Sequence, residues 1–153
     1  MANTYSKLYA HFVFTPSLRS PLITPVIKDV LEKYMTGIVQ QLGQKMLAIY
    51  CNKDHCHMLV GLTTTMSSEN LMREVKSNSS RFLNQNYFRD SNFCWQRGYG
   101  SFSVSESEVG SVINYIRNQA EHHKTKSFKE EYLDILKKND VKYNDDYLFD
   151  FFG

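Results

Sequence analysis

The chain carries little that would tie it to a membrane, an oxidising compartment or a nucleotide cofactor. No apolar run approaches the ~18 residues needed to cross a bilayer. Met1-Ala2-Asn3-Thr4 shows no charged segment leading into an apolar one, which argues against a secretory leader. The three cysteines, Cys51, Cys56 and Cys94, form no C-x-x-C and read as reduced thiols of a cytoplasmic protein. There is neither a Walker A sequence nor a dinucleotide-binding glycine motif, so no nucleotide cofactor is expected. Repeats, low-complexity tracts and linkers are also missing, and residues 1–153 are expected to form one domain. Charge of one sign is scarce: 18 Lys and Arg against 16 Asp and Glu leave a net charge of +2. Such mild basicity admits a nucleic-acid partner without requiring one.

What the chain does have is strong patterning. Lys7–Thr15 alternates with period two, placing Leu8, Ala10, Phe12 and Phe14 on one face and Tyr9, His11 and Val13 on the other. Thr24-Pro25 opens a helix running to about Gln41, with Val26, Val30, Leu31, Tyr34, Ile38, Val39 and Leu42 as its apolar stripe. Lys45–Asn52 and His55–Leu62 read as strands joined by a tight turn at Lys53-Asp54. A helix spans Ser68–Tyr87, with Leu71, Val75, Phe82 and Leu83 inward. Asp90–Gly100 is a loop, and Phe102–Ser105 a short strand. Ser105-x-x-Glu108 and Ser127-x-x-Glu130 are capping boxes, opening helices over Glu106–His123 and to about Lys138. The aromatic tail, Asp145–Gly153, is expected to pack on its own domain or on a partner subunit. The order β-α-β-β-α-β-α-α implies an α+β fold of ferredoxin-like or RRM-like kind. Its antiparallel sheet has helices on one face and leaves the other free for a ligand.

Within this frame His55 and His57 stand two apart in a strand and share a face, away from Cys56, Met58 and Val60. An imidazole pair of this kind holds a divalent ion, although the same pattern also suits a solvated strand face. In the helix from Glu106, the stripe is Val109, Val112, Ile113, Ile116 and Ala120. Tyr115 and Gln119 lie roughly 80–120° to its side, one turn apart. Gln119 can give a third ligand and Tyr115 a nucleophile for a phosphodiester polarised by the metal. A phosphotyrosine keeps the energy of the broken bond, so strands can be rejoined without ATP.

At these residues the chain resembles the single-tyrosine HUH transposases of small bacterial insertion sequences. The likeness rests on Asp54-His55-Cys56-His57-Met58-Leu59-Val60, on Trp95-Gln96-Arg97-Gly98-Tyr99-Gly100-Ser101-Phe102-Ser103-Val104, and on Tyr115-Ile116-Arg117-Asn118-Gln119 with His122-His123 after it. Ser127–Tyr132 and Tyr147-Leu148-Phe149 are similar too, so the likeness spans about residues 7 to 150. It implies an RRM-like homodimer that recognises hairpins in single-stranded DNA at element ends. It implies Tyr115 as nucleophile, forming a 5′-phosphotyrosine and a free 3′-hydroxyl. It implies His55, His57 and Gln119 as ligands of Mg²⁺ or Mn²⁺. In some members the tyrosine helix serves the other subunit's site. Two departures stand out: no Lys comes after Thr15, and Asn52-Lys53 replaces a more usual Met-Pro.

Arg19, Arg73, Lys76, Arg81, Arg97 and His122 are candidate DNA contacts, the α-helical ones equally readable as a solvated face. His11 neighbours the site or serves a structural hydrogen bond, and His122 and His123 touch phosphate or simply end a helix. Two other classes compete with strand transfer. One is a non-catalytic module binding single-stranded nucleic acid or hairpins by stacking on Tyr9, Tyr50 and Trp95. The other is a hydrolytic or structural zinc site, for which Cys56 points the wrong way.

Overall fold

A computed structural model describes residues 3–89 and 92–152. Met1, Ala2, Asp90, Ser91 and Gly153 lie outside the described residues, so the beginning of the Asp90–Gly100 loop and the last residue of the tail do too. Four strands, β1 (Leu8–Phe14), β2 (Lys45–Cys51), β3 (Cys56–Leu62) and β4 (Gly100–Val104), form one sheet in the order β2-β3-β1-β4. Every neighbouring pair is antiparallel, the split order of the ferredoxin-like topology. Helices α1 (Pro25–Gln41) and α2 (Ser68–Asn86) connect the strands. Thr24 and Ser67 cap them by accepting from Ile27 N and Asn70 N.

The α1–α2 layer packs on one face of the sheet, as expected. Its core joins Phe12, Phe14, Cys56, Met58 and Val60 to Leu31, Met35, Leu71 and Val75. Leu31, Ile38 and Val39 of the expected α1 stripe are buried, but its first turn is misplaced by one residue, and Met35 joins the buried set. Ile27 is buried and Val26 lies 69% exposed, because Ile27, Leu31, Met35 and Val39 keep the inward phase. The loop before β4 is fastened to α2: Trp95 Nε1 donates to Ser79 Oγ at 3.0 Å, and its ring meets Phe14 edge-on at 4.9 Å.

The opposite sheet face is not left free, and here the expectation needs correction. Helices α3 (Val109–Arg117), α4 (Gln119–His122) and α5 (Phe128–Lys138) lie over it. Ile116 packs on Ala48 and Leu59; Phe128, Tyr132 and Leu136 pack on Val13 and Phe102. The tail folds back on its own domain, burying Phe149 between Phe128 and Tyr132. The helix expected over Glu106–His123 is broken. A 3₁₀ turn covers Glu106–Glu108, and Asn118 (φ −97°, ψ 23°) separates α3 from α4. Ser105 makes no capping bond, its hydroxyl pairing with Ser107 instead, whereas Ser127 caps α5 through Glu130 N at 3.2 Å.

At the β4–α5 contact a side chain has no room. A Cβ on Gly100 would lie 2.8 Å from Tyr132 Oη and 2.8 Å from Phe102 Cε2. Gly100→Ala should therefore cost about 1–3 kcal/mol, the usual range for an overpacked contact. Urea unfolding monitored by circular dichroism checks this, and an unchanged midpoint would mean α5 is not seated as described.

Candidate active site

The covered face carries the two histidines. His55 closes the β2–β3 turn, where Asn52 N donates to His55 O at 2.7 Å, and His57 is the second residue of β3. Strand alternation puts both imidazoles on the α5 side, as the pattern indicated. They are not solvated, however. His55 is 1% exposed and His57 fully buried, since Phe128 stacks on the His55 ring at 3.9 Å and Glu131 closes over both.

Three further groups converge there. The Asn118 break turns the next stretch of helix, so Gln119 is buried rather than lying on an outer flank, and Ala120, assigned to the apolar stripe, is exposed. Gln119 Oε1 lies 3.4 Å from His55 Nε2, and its Nε2 donates to Glu131 Oε2 at 2.9 Å. The same break brings in His123, whose Nε2 is 3.0 Å from Gln119 Oε1. Glu131 reaches in from α5, its Oε1 lying 3.2 Å from His55 Nε2 and 3.1 Å from both His57 Nε2 and His123 Nε2. Tyr115 donates its phenolic hydrogen to Glu131 Oε2. Glu131 was not singled out from sequence, yet a signal existed. Phe128, Glu131, Tyr132, Ile135 and Leu136 share one helical face, so a lone carboxylate rides on an apolar stripe.

Outer hydrogen bonds decide how the imidazoles point. His55 Nδ1 lies 2.7 Å from Asp54 Oδ1 and His123 Nδ1 lies 2.8 Å from Lys126 O. Both partners only accept, so each Nδ1 carries a hydrogen and each ring turns its Nε2 inward, where it offers a lone pair whenever that nitrogen is unprotonated. His57 Nδ1 pairs with His11 Nε2 at 2.8 Å, which permits the same tautomer. His11 thus belongs to the cluster through His57. Burial, reinforced by His57, pushes His11 down to about 3, so it stays neutral. The inward Nε2 atoms meet the carboxylate of Glu131 and the carbonyl of Gln119, and Asn52 Nδ2, 3.0 Å from His55 Nε2, donates to Gln119 Oε1 at 3.1 Å. Acceptors this close repel unless a proton or a cation lies between them. His55, His57 and Glu131 each offer a ligand atom, all within 4.8 Å of one another. Two ligands about 2.1 Å from one ion at right angles lie about 3.0 Å apart, the spacing seen here.

Electrostatics around the carboxylate are steep. Burial alone would raise Glu131, but His123, His55 and His57, which donate to it whenever Nε2 carries a hydrogen, outweigh it and hold the carboxyl well below the ordinary range. Burial lowers His57 overall; in His55 burial pulls the same way, but the bonds to Asp54 and Glu131 overcome it and the net shift is upward. Burial, and after it the charge of Glu131, pushes the Tyr115 phenol well above its ordinary value.

A cleft of about 830 Å³ opens onto this cluster, lined by His11, Tyr115, His122, His123 and Glu131 among others. The chain matches the sequence model described as "Transposase IS200 like" over residues 4–119. It belongs to the IS200-like transposase family. Among curated proteins, the transposases for insertion sequence element IS200 of Salmonella typhimurium and Salmonella typhi are each 25% identical over 130 residues. Each alignment covers 81% of this chain and 84% of the relative. Among solved structures, a candidate transposase from Deinococcus radiodurans R1 aligns with TM-score 0.62 at 22% identity, covering 78% of this chain and 95% of its own. A REP-associated tyrosine transposase bound to a REP hairpin aligns with TM-score 0.59 at 16% identity, over 98% and 91% of the two chains. Both share the fold of this transposase, an α+β fold with a four-stranded open antiparallel sheet.

The basic residues named from sequence scatter. Arg19 and Arg97 are exposed on loops; Arg73 and Arg81 are exposed on α2, across the sheet from the imidazoles. Lys76, also on α2, is half-buried and donates to Gln96 O at 2.8 Å and to Gly98 O, pinning the Trp95 loop. His122 stays on the cleft side, its ring 4.7 Å from that of Tyr115. No helix among the described residues is long and apolar enough to cross a membrane.

Asp54 touches no ligand position itself but fixes the His55 tautomer. Asp54→Ala should weaken Mn²⁺ binding by about 10–100-fold, the usual effect of losing such an outer partner. Calorimetric titration of the folded variant with Mn²⁺ checks this, and wild-type affinity would refute the role given to Asp54.

Proposed function

We propose that this transposase is a metal-dependent strand transferase acting on single-stranded DNA. It cleaves through a covalent 5′-phosphotyrosine on Tyr115 and recognises hairpins at element ends. The observation that carries this reading is the meeting, around the Glu131 carboxylate at the wall of the cleft, of the Tyr115 hydroxyl with the His55–His57 pair and the Gln119 amide. His55, His57 and Gln119 would hold Mg²⁺ or Mn²⁺, and a cation there stabilises negative charge on the phosphoryl oxygens. The Tyr115 oxygen forms a bond to phosphorus while the bond from phosphorus to the 3′-oxygen breaks. The departing oxygen ends as a 3′-hydroxyl, so the net proton movement is from the phenol to that hydroxyl. Reversal, with another 3′-hydroxyl attacking the phosphotyrosine, rejoins strands without a nucleotide cofactor.

The exposed Arg19, Arg73, Arg81, Arg97 and His122 are the proposed DNA contacts, His122 being the one beside the nucleophile. A hairpin-bound neighbour of the same fold supports hairpin recognition. A homodimer is part of this reading, as is action in the cytoplasm. Tyr115 and the imidazoles nevertheless already meet within one chain, the Tyr115 and His57 ring centres being 5.8 Å apart.

Tyr115→Phe should abolish the covalent adduct, seen as a shifted band in denaturing electrophoresis after incubation with single-stranded element ends and Mn²⁺. Hairpin binding should survive. An adduct formed equally well by Tyr115→Phe would take Tyr115 out of its role. Wild-type binding that ignores EDTA and never yields an adduct would favour a non-catalytic hairpin-binding module.

A further inference from the structure

The family match ends at Gln119, yet two of the groups that crowd the imidazoles lie beyond it, in the segment leading into α5 and in α5 itself. His123 and Glu131 have no counterpart in the His-x-His and Tyr-x-x-x-Gln motifs. Their placement is nonetheless tightly specified. His123 Nδ1 is committed to Lys126 O, so its Nε2 turns toward Gln119 Oε1 and Glu131 Oε1 at 3.0 and 3.1 Å. Glu131 divides its two oxygens. Oε1 faces the three Nε2 atoms of His55, His57 and His123, while Oε2 accepts from Tyr115 and from Gln119 Nε2.

We propose that His123 is a third imidazole ligand of the cation site, and that Glu131 is a shared residue that binds the cation through Oε1 and holds Tyr115 through Oε2. Charge supports the assignment. Three neutral imidazoles and an amide bring no compensation for a dication in a site this dry, whereas Glu131 is 3% exposed and brings a full negative charge. Spacing supports it as well, because a single ion reached by His55, His57 and Gln119 lies within the same 3.0–3.4 Å web of contacts as His123 Nε2 and Glu131 Oε1. Glu131 is then the positioning residue that keeps the nucleophile next to the cation. α5, docked through Phe128, Tyr132 and Phe149, is the element that sets this distance. The positioning half of the proposal rests on the strand-transferase reading; the ligand half does not.

Mn²⁺ binding to the full chain without DNA separates the two. Electron spin-echo modulation should report three directly bound imidazole nitrogens in the wild type and two in His123→Ala. Glu131→Gln, nearly isosteric and still able to accept from Tyr115, should lower Mn²⁺ affinity at least about tenfold. Glu131→Ala should in addition reduce adduct formation at saturating Mn²⁺, where affinity no longer limits. Unfolding midpoints near wild type qualify a variant for comparison, and Glu131→Asp serves if Glu131→Ala fails to fold. Unchanged nitrogen count and affinity in His123→Ala, or unchanged affinity in Glu131→Gln, would overturn the ligand assignment whatever the enzyme does to DNA. Faster adduct formation by Glu131→Ala would overturn the positioning role, because the carboxylate would then be an obstruction. A wild type that binds Mn²⁺ through three imidazoles but forms no adduct would sink the strand-transferase reading and leave the ligand assignment standing.

Discussion

One constraint governs this molecule: three imidazole Nε2 atoms, a carboxylate and an amide oxygen are gathered in one buried cluster, where Asn52, Gln119 and Tyr115 supply the donors. Asp54 and Lys126 O each claim a hydrogen of a histidine, which turns two Nε2 atoms toward the oxygens of Glu131 and Gln119. The aromatic wall of Phe128 and the α5 docking keep the region dry. In bulk water such an arrangement would relax by rotating side chains outward. Here each ring is held from behind by a hydrogen bond and from the side by packing, so the group stays gathered in an arrangement that could hold a cation. Rigidity of the surrounding fold is what makes that possible.

The division of labour between the two sheet faces has the same origin. Alternation along β1 and β3 gives each strand an apolar edge for α1 and α2 and a mixed edge carrying His11, His57 and Leu59. The α1–α2 face is an ordinary hydrophobic core and asks nothing of chemistry. The other face has to bury polar groups, and it does so only by pairing them with one another. α3, α4 and α5 are short, and their buried apolar residues are few: Ile116 on one side, flanked by the partly buried Val109, Val112 and Ile113, and Phe128, Tyr132 and Leu136 on the other. The polar cluster therefore sits between two small apolar patches, which shield it without filling it. The cleft beside Tyr115 remains open between them.

Much of this was legible in the residues, and the failures have physical causes. Period two showed that His55 and His57 share a face, because alternation is a local property of a strand. The same period could not show that the face is covered, since the cover comes from α5, more than seventy positions away, and depends on tertiary docking. Tyr115 and Gln119 could be paired as neighbours one turn apart. The 100° rule then misplaced everything after Asn118, where a non-helical ψ resets the phase, and so it favoured His122 over His123. Glu131 was hidden in a Glu130-Glu131 doublet that looks like first-turn acid at a helix start. Only its alignment with Phe128, Tyr132 and Ile135 distinguishes the buried carboxylate from the exposed one. Lys76 shows the reverse error of reading charge as surface, since its ammonium is spent on two loop carbonyls.

The position of Tyr115 raises a question of timing that the electrostatics answer. Burial and the adjacent carboxylate both favour the phenol over the phenolate, so Glu131 by itself disfavours the anion of Tyr115. A dication bound to the far oxygen of Glu131 would reverse that balance, drawing off the carboxylate's charge and favouring the anion next to it. The same carboxylate would thus restrain the tyrosine when the site lacks its cation and align it when the cation is bound. Strand cleavage would then be tied to cation occupancy through one side chain, with no moving lid. In the proposed strand transfer, whose covalent intermediate would be an interrupted DNA strand, a tyrosine that gained reactivity only beside a bound cation would be protected by two hydrogen bonds to one glutamate.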